Sequence, residues 1–289
     1  MDATIQTILA EIPLLGGKPV SVRSLEGGLT NRNFVLDVDG EQFVLRIPGA
    51  NTELLGIDRH FEHACTQATF AAGIGAEVIA FLPEHGGAMV TRFMSGEVLP
   101  PEAVRTPATL ERVVVALRLY HESQGGSGHF STFETVYRSH ALAQKHCVKF
   151  PAELDAALGI FKEIEAAVGI PEPLCPCHND LVPGNLIDHH GSIRIIDWEF
   201  AGQGDRFFDL GNLAANQLFD ADQERLLLQF YFGEIRPSDL HRLRLMRRAS
   251  DMREAMWGFL QMGISKLDID YAAYAHFHLQ RFLDAVPHP

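Results

Sequence analysis

Short segments with β-branched or aromatic residues fill the first third of the chain. They are Pro19–Leu25, Asn33–Val38 and Gln42–Ile47, and their composition predicts strands. Gly27-Gly28 separates the first pair and Asp39-Gly40 the second. An Asp-Gly pair between alternating segments is a strong hairpin signal. Residues Asp58–Ala72 read as a helix, with Asp58 placed to cap it and Gly73 near its end. Glu77–Phe81 and Ala88–Phe93 read as two more strands, and Met1–Leu15 as a short amphipathic helix. Gly96–Pro107 carries three prolines and reads as a connector. Beyond it the pattern becomes helical: Thr109–Ser123 has Val113, Leu117 and Tyr120 along one face. Glu134–Lys145, Glu153–Val168, Phe208–Phe219, Gln223–Phe232, Ser238–Leu260 and Leu267–Leu283 continue it, interrupted by a mixed region at Leu174–Trp198. The predicted class is α+β. A small antiparallel-sheet lobe with one helix spans residues 1–95, and a larger, mainly helical lobe spans 96–289. The hinge is expected near 93–100, with a ligand-sized cleft between the lobes.

The 289 residues are too many for one minimal core and suit two lobes. A net charge of -13 repels nucleic acid and anionic membrane, so neither is an expected partner. It does not exclude ATP, because a local basic pocket and magnesium can outweigh a distant field. No apolar run reaches the length of a membrane span. Met1–Leu15 carries Asp2 and Glu11 and lacks a basic start, unlike a signal peptide. Cys175 and Cys177 stand one residue apart, too close for an ordinary bridge and off zinc-knuckle spacing. Reduced thiols and a cytoplasmic location are the expectation.

The richest segment is His178-Asn179-Asp180-Leu181-Val182-Pro183-Gly184-Asn185. After Leu186-Ile187 and a turn at His190-Gly191 comes Ile193-Arg194-Ile195-Ile196-Asp197-Trp198-Glu199. Asp180 and Asn185 sit on a loop broken by Pro183-Gly184, two short apolar segments form a hairpin, and Asp197 ends the second. A hairpin brings its outer ends together, so Asn185 and Asp197 can converge. An amide oxygen and a carboxylate are hard ligands, suited to magnesium carrying nucleotide phosphates. Asp180 is then free to orient or deprotonate an attacking hydroxyl, and phosphoryl transfer needs little more than this positioning and charge neutralisation. Singly, each residue reads better as a turn or strand-end polar group; jointly, with this spacing and a hairpin between them, they favour the functional reading.

This segment resembles the catalytic loop and metal-binding strand of the aminoglycoside phosphotransferase and choline kinase group, which has a protein-kinase-like fold. His178, Asp180, Asn185 and Asp197 fill the pattern H-x-D, four residues, N, hairpin, I-D. The choline/ethanolamine kinases match best, through Gly27–Asn31, Phe43–Gly49, Ile196–Phe200 and Phe208–Asn212, in the family's order over roughly residues 20–280. The resemblance implies ATP as co-substrate and Mg2+ as cofactor. It implies Asp180 as catalytic base, His178 as a further catalytic-loop residue that holds the loop, and Asn185 and Asp197 as metal ligands. Gly28, Thr30 and Asn31 would lie on the phosphate-covering turn, which without the other motifs reads equally well as a plain hairpin turn. Arg46 stands where related kinases often carry lysine, with Glu62 as its partner and Arg59 as a competing cation. Asp209 resembles the acid that braces the catalytic loop and reads also as a helix N-cap. The adenine is expected near Phe93 to Gly96, and Glu199 is either a neighbour of the metal or paired elsewhere.

For the acceptor, Met256–Gln261 resembles the helix that supplies tryptophan to a choline pocket. Trp257, Trp198 and Tyr274 are the candidate substrate-binding aromatics, with Tyr271 nearby; at helical spacing such residues also serve as core. An acid that the family often places after Asp209-Leu210-Gly211-Asn212 is here Asn216, with Asp220, Asp222 and Asp251 as possible substitutes. The expected reaction is phosphorylation of a small amino alcohol, choline or ethanolamine, with thiamine, aminoglycoside or sugar as alternatives. A pseudokinase-type nucleotide-binding module is the non-enzymatic alternative, and the presence of Asp180, Asn185 and Asp197 argues against it. A metal-hydrolase reading of His178, Asp180, His189 and His190 lacks paired histidine spacing and leaves the first lobe unexplained.

Overall fold

The computed structural model describes residues 3–25, 30–123, 128–170 and 173–285. Gly28, singled out above, lies outside the described residues, as does Gly27. Helix α1 (Ala3–Ala10) is followed by strands β1 (Ser21–Leu25), β2 (Asn31–Val38) and β3 (Glu41–Pro48). At the β2–β3 turn Asp39 and Gly40 both take left-handed φ, 55° and 84°. That is the backbone a two-residue hairpin needs, and it sets Val38 opposite Glu41. Strands β4 (Val78–Leu82) and β5 (Ala88–Arg92) complete an antiparallel sheet of order β1-β2-β3-β5-β4. One face buries Leu36, Phe43, Leu45 and Val90 against Ile5, Ile8 and Ile12. Arg46 follows Leu45, and strand alternation turns it to the other face. Helix α2 (Arg59–Ala71) covers that side, and Asp58 caps it by accepting the amides of His60 and Phe61.

The connector is more ordered than its three prolines suggest. It holds strand β6 (Glu97–Val98) and helix α3 (Pro101–Val104), and helix α4 (Pro107–His121) starts with proline in its first turn. There the missing N–H costs nothing. Helices α5 (Thr132–Lys145) and α6 (Leu154–Val168) lead to β7 (Cys175–Cys177), β8 (Leu186–His189), β9 (Ser192–Ile195) and β10 (Gly202–Gly204). These form two small sheets, β6-β8-β9 and β7-β10. Helices α7 (Arg206–Asn216), α8 (Ala221–Phe232), α9 (Pro237–Ile264) and α10 (Tyr271–Asp284) close the chain. Among the described residues, the two larger apolar clusters of this half are these. One joins α4, α7 and α8 around Leu117, Leu210 and Leu228. The other joins α6, α9 and α10 around Phe161, Phe259 and Phe282. Gly211 lets α7 lie directly on α9, since a Cβ there would meet the Arg247 amide nitrogen at 2.6 Å. No helix among the described residues is long and apolar enough to cross a membrane.

Candidate active site

The loop after β7 is held from below by one buried carboxylate. Asp209 accepts the amides of His178 at 2.7 Å and Asn179 at 2.6 Å, and its Oδ2 lies 2.9 Å from His121 Nε2. All four residues are buried. Asp205, not Asp209, caps α7, so Asp209 sits one turn inside the helix and faces the loop. Asn212 continues the brace by accepting the Leu181 amide and donating to Ser250 Oγ. His178 accepts the Asp180 amide at Nδ1 (3.1 Å), so Nε2 carries the proton and donates to the Ile196 carbonyl (2.9 Å). Burial lowers its pKa, consistent with this neutral ring.

Above this brace the hairpin brings the candidate metal ligands together. Leu186 pairs with Ile195, and the Ile196 amide donates to the Asn185 carbonyl at 3.1 Å. Asn185 Nδ2 donates to the Asp180 carbonyl at 2.9 Å, which leaves Oδ1 for a ligand. Asp197 takes a left-handed φ of 67°, a conformation that costs a non-glycine residue free energy and is found at constrained sites. Burial pushes its carboxyl up to about 6 and Glu199 adds to the push, while Arg46 opposes it. Asp180 is pushed further, to about 7, by burial first, with Glu254 and Asp197 acting the same way against Arg253.

A cation cluster faces these acids. Arg46 pairs with Glu62 and reaches Asp197 at 3.5 Å. Arg59 contacts Glu62 at 2.8 Å and Glu199 at 3.1 Å and donates to Asn31 Oδ1 at 3.0 Å. Asn31 in turn donates to Glu199 at 2.9 Å. A cavity of about 580 Å³ runs between the sheet and the helical part. Arg46, Asp180, Asn185 and Asp197 line it, as do Phe93, Met94 and Gly96 of the connector. Its wall also includes Trp257 and Tyr274, whose rings meet edge to face at 5.4 Å. Tyr274 donates to Glu254 Oε2 at 2.8 Å. Glu254 Oε1 accepts from Arg253, and Arg253 Nη1 donates to Asp180 Oδ1 at 3.0 Å.

The profile of the phosphotransferase enzyme family matches residues 21–246. The chain belongs to that family. Protein LicA of Haemophilus influenzae is 30% identical over 215 residues, which cover 72% of this chain and 62% of that protein. Among solved structures, a choline/ethanolamine kinase family protein from Mesorhizobium loti superposes with a TM-score of 0.81 at 30% identity, over 99% of this chain and 94% of the other. Choline kinase LicA from Streptococcus pneumoniae also gives 0.81, at 22% identity and over 97% and 96% of the two chains. The fold is therefore the protein-kinase-like one that the motifs suggest.

Within this family member, the structure brings Arg46, Glu62, Asn31, Thr30, Asp180, Asn185 and Asp197 to one cavity. His178 lies beneath it with both ring nitrogens bonded to backbone, a strut for the loop. Trp198 departs from its expected place. It borders the cleft, but its ring is 2% exposed and packs on Tyr120 and His178, and its indole N–H is bonded to the Ile195 carbonyl. Its bulk serves the core instead of presenting a face to an acceptor. Two of the three acids put forward as partners for an acceptor cation are committed elsewhere: Asp220 caps α8, and Asp251 bonds His278 and Arg281. Sequence reasoning missed Arg253 and Glu254, which carry charge into the cavity wall. They stand four and three residues before Trp257, the helical spacing that puts all three on neighbouring parts of one surface.

Proposed function

We propose that the protein transfers the γ-phosphoryl group of ATP to the hydroxyl of a small amino alcohol, choline or ethanolamine. The observation that carries this reading is the meeting of three oxygens' worth of chemistry on one cavity wall. Asp180 is free at Oδ2, and Asn185 Oδ1 and the Asp197 carboxylate stand beside it, opposite the Arg46–Glu62 pair. Two hard oxygen donors on one cavity wall, an amide and a carboxylate, fit a divalent cation of magnesium's class. Asn185 and Asp197 would hold the magnesium, which when bound would neutralise phosphate charge.

The remaining work falls to the chain itself. Arg46, fixed by Glu62, presents a cation to the nucleotide phosphates. Asp180 accepts the hydroxyl proton as the acceptor oxygen forms its bond to phosphorus and the bond to the ADP oxygen breaks. The bonded brace of Asp209 and Asn212 holds that carboxylate without reorganisation. The Trp257–Tyr274 corner offers aromatic faces to an ammonium group, and Glu254 behind it adds negative charge. The similarity to LicA and to a choline/ethanolamine kinase family protein supports the same acceptor class. Phosphorus NMR of a reaction with magnesium, ATP and each amino alcohol tests the proposal. A new phosphomonoester resonance appearing with ADP is expected. ADP and inorganic phosphate alone, at equal rates with and without acceptor, would contradict it.

A further inference from the structure

Arg253 has no place in the expected catalytic set, yet it touches the catalytic carboxylate. It is 3% exposed. Its Nη1 donates to Asp180 Oδ1 at 3.0 Å and to Glu254 Oε1. Its guanidinium lies over the Phe200 ring, 4.4 Å from the centroid. Phe200 is anchored to the catalytic loop, because its carbonyl accepts from Asn179 Nδ2 at 2.9 Å. Each end of the guanidinium contact is therefore fixed to the segment that carries the base.

Resting on the function proposed above, we propose that Arg253 is a positioning residue for phosphoryl transfer, clamping Asp180 in the orientation that receives the acceptor hydroxyl. Five acids, Glu62, Asp180, Asp197, Glu199 and Glu254, line the same cavity. Arg46 and Arg59 serve Asp197, Glu62 and Glu199. Among the described residues, Arg253 is the cation in contact with Asp180. An unclamped carboxylate among like charges turns away, and a small misplacement of a reacting group is costly in rate. The bond to Oδ1 holds the rotamer and leaves Oδ2 for the hydroxyl. The same guanidinium reaches Glu254, whose other oxygen accepts from Tyr274. The acceptor wall and the base are thus linked through one side chain on α9.

The test compares wild type with Arg253→Met and Arg253→Lys, reading kcat and acceptor KM with choline and ethanolamine, and magnesium–AMP-PNP affinity by calorimetry. Arg253→Met is expected to lose about 100-fold in kcat, the scale of a displaced general base. Its nucleotide affinity should stay within about threefold, since Arg253 is not placed on the phosphates. Arg253→Lys, which keeps a cation of shorter reach, should recover part of the loss. In an Asp180→Asn background, adding Arg253→Met should cost little more, because both changes remove one unit of function. Turnover of Arg253→Met within threefold of wild type, or losses that multiply in the double variant, would overturn the positioning role. Absence of acceptor-dependent turnover in wild type would instead contradict the proposed function, and a catalytic role for Arg253 with it.

Discussion

The side-chain amide of Asn185 is bonded to the Asp180 carbonyl, 2.9 Å away, so the orientation of one candidate metal ligand is set by the residue that carries the candidate base. The amide's two ends are not interchangeable there. Nδ2 is the end that can donate to a carbonyl, and Oδ1 is left for the cavity.

Asn185→Leu keeps the volume and removes both functions of the amide. Magnesium-dependent binding of AMP-PNP should weaken at least ~10-fold, about 1.4 kcal/mol. Binding measured in EDTA should change little. Calorimetry in the two conditions separates loss of the ion from general damage to the cleft.

Asp209 and His121 are both fully buried and lie 2.9 Å apart, and Asp209 also holds two loop amides. Asp209→Ala should therefore cost ~3–5 kcal/mol, the usual scale for breaking a buried pair and orphaning its partners. Asp209→Asn, which retains one acceptor oxygen, should cost less. Urea unfolding midpoints at constant slope report the difference.

Much of this was legible in the sequence, for reasons that differ by element. The Asp39-Gly40 turn and the approach of Asn185 to Asp197 rest on contacts that span at most a hairpin, so spacing predicts geometry there. The connector misled because proline excludes only helix interiors, and α3 and α4 both begin with one. Arg59, Glu199 and Asn31 meet across separations of 28 to 168 residues, and Arg253 meets Asp180 across 73. No periodicity encodes such pairings. Trp198 beside Asp197 looked like a binding aromatic, but the chain leaves extended geometry at Asp197, whose φ is 67°, and the Trp198 ring packs on Tyr120 and His178.

The two tryptophans should separate cleanly. Trp198→Ala should lower stability by ~3–5 kcal/mol, as for a large buried aromatic. Trp257→Ala should raise the KM for a cationic acceptor by about 2 kcal/mol, roughly 30-fold. Its nucleotide KM should stay near wild type. Thermal unfolding and steady-state kinetics of the two variants are the check.

Asp180 must be ionised to accept a proton, and burial pushes its carboxyl up to about 7. Protonation therefore removes the base as pH falls. The profile of kcat/KM should rise with pH and level off above about 7, because it reports the free enzyme. A profile flat from pH 5 to 8 would conflict with Asp180 as the base in this environment.

The most direct test of the account is acceptor-dependent ADP release by wild type and Asp180→Ala, with ATP and magnesium, across choline, ethanolamine, thiamine, sugars and aminoglycosides. The account predicts saturable turnover with choline or ethanolamine and a loss of at least ~100-fold in Asp180→Ala, with nucleotide binding retained. Near-full turnover in Asp180→Ala, or no turnover with either amino alcohol despite magnesium-dependent nucleotide binding, would contradict it.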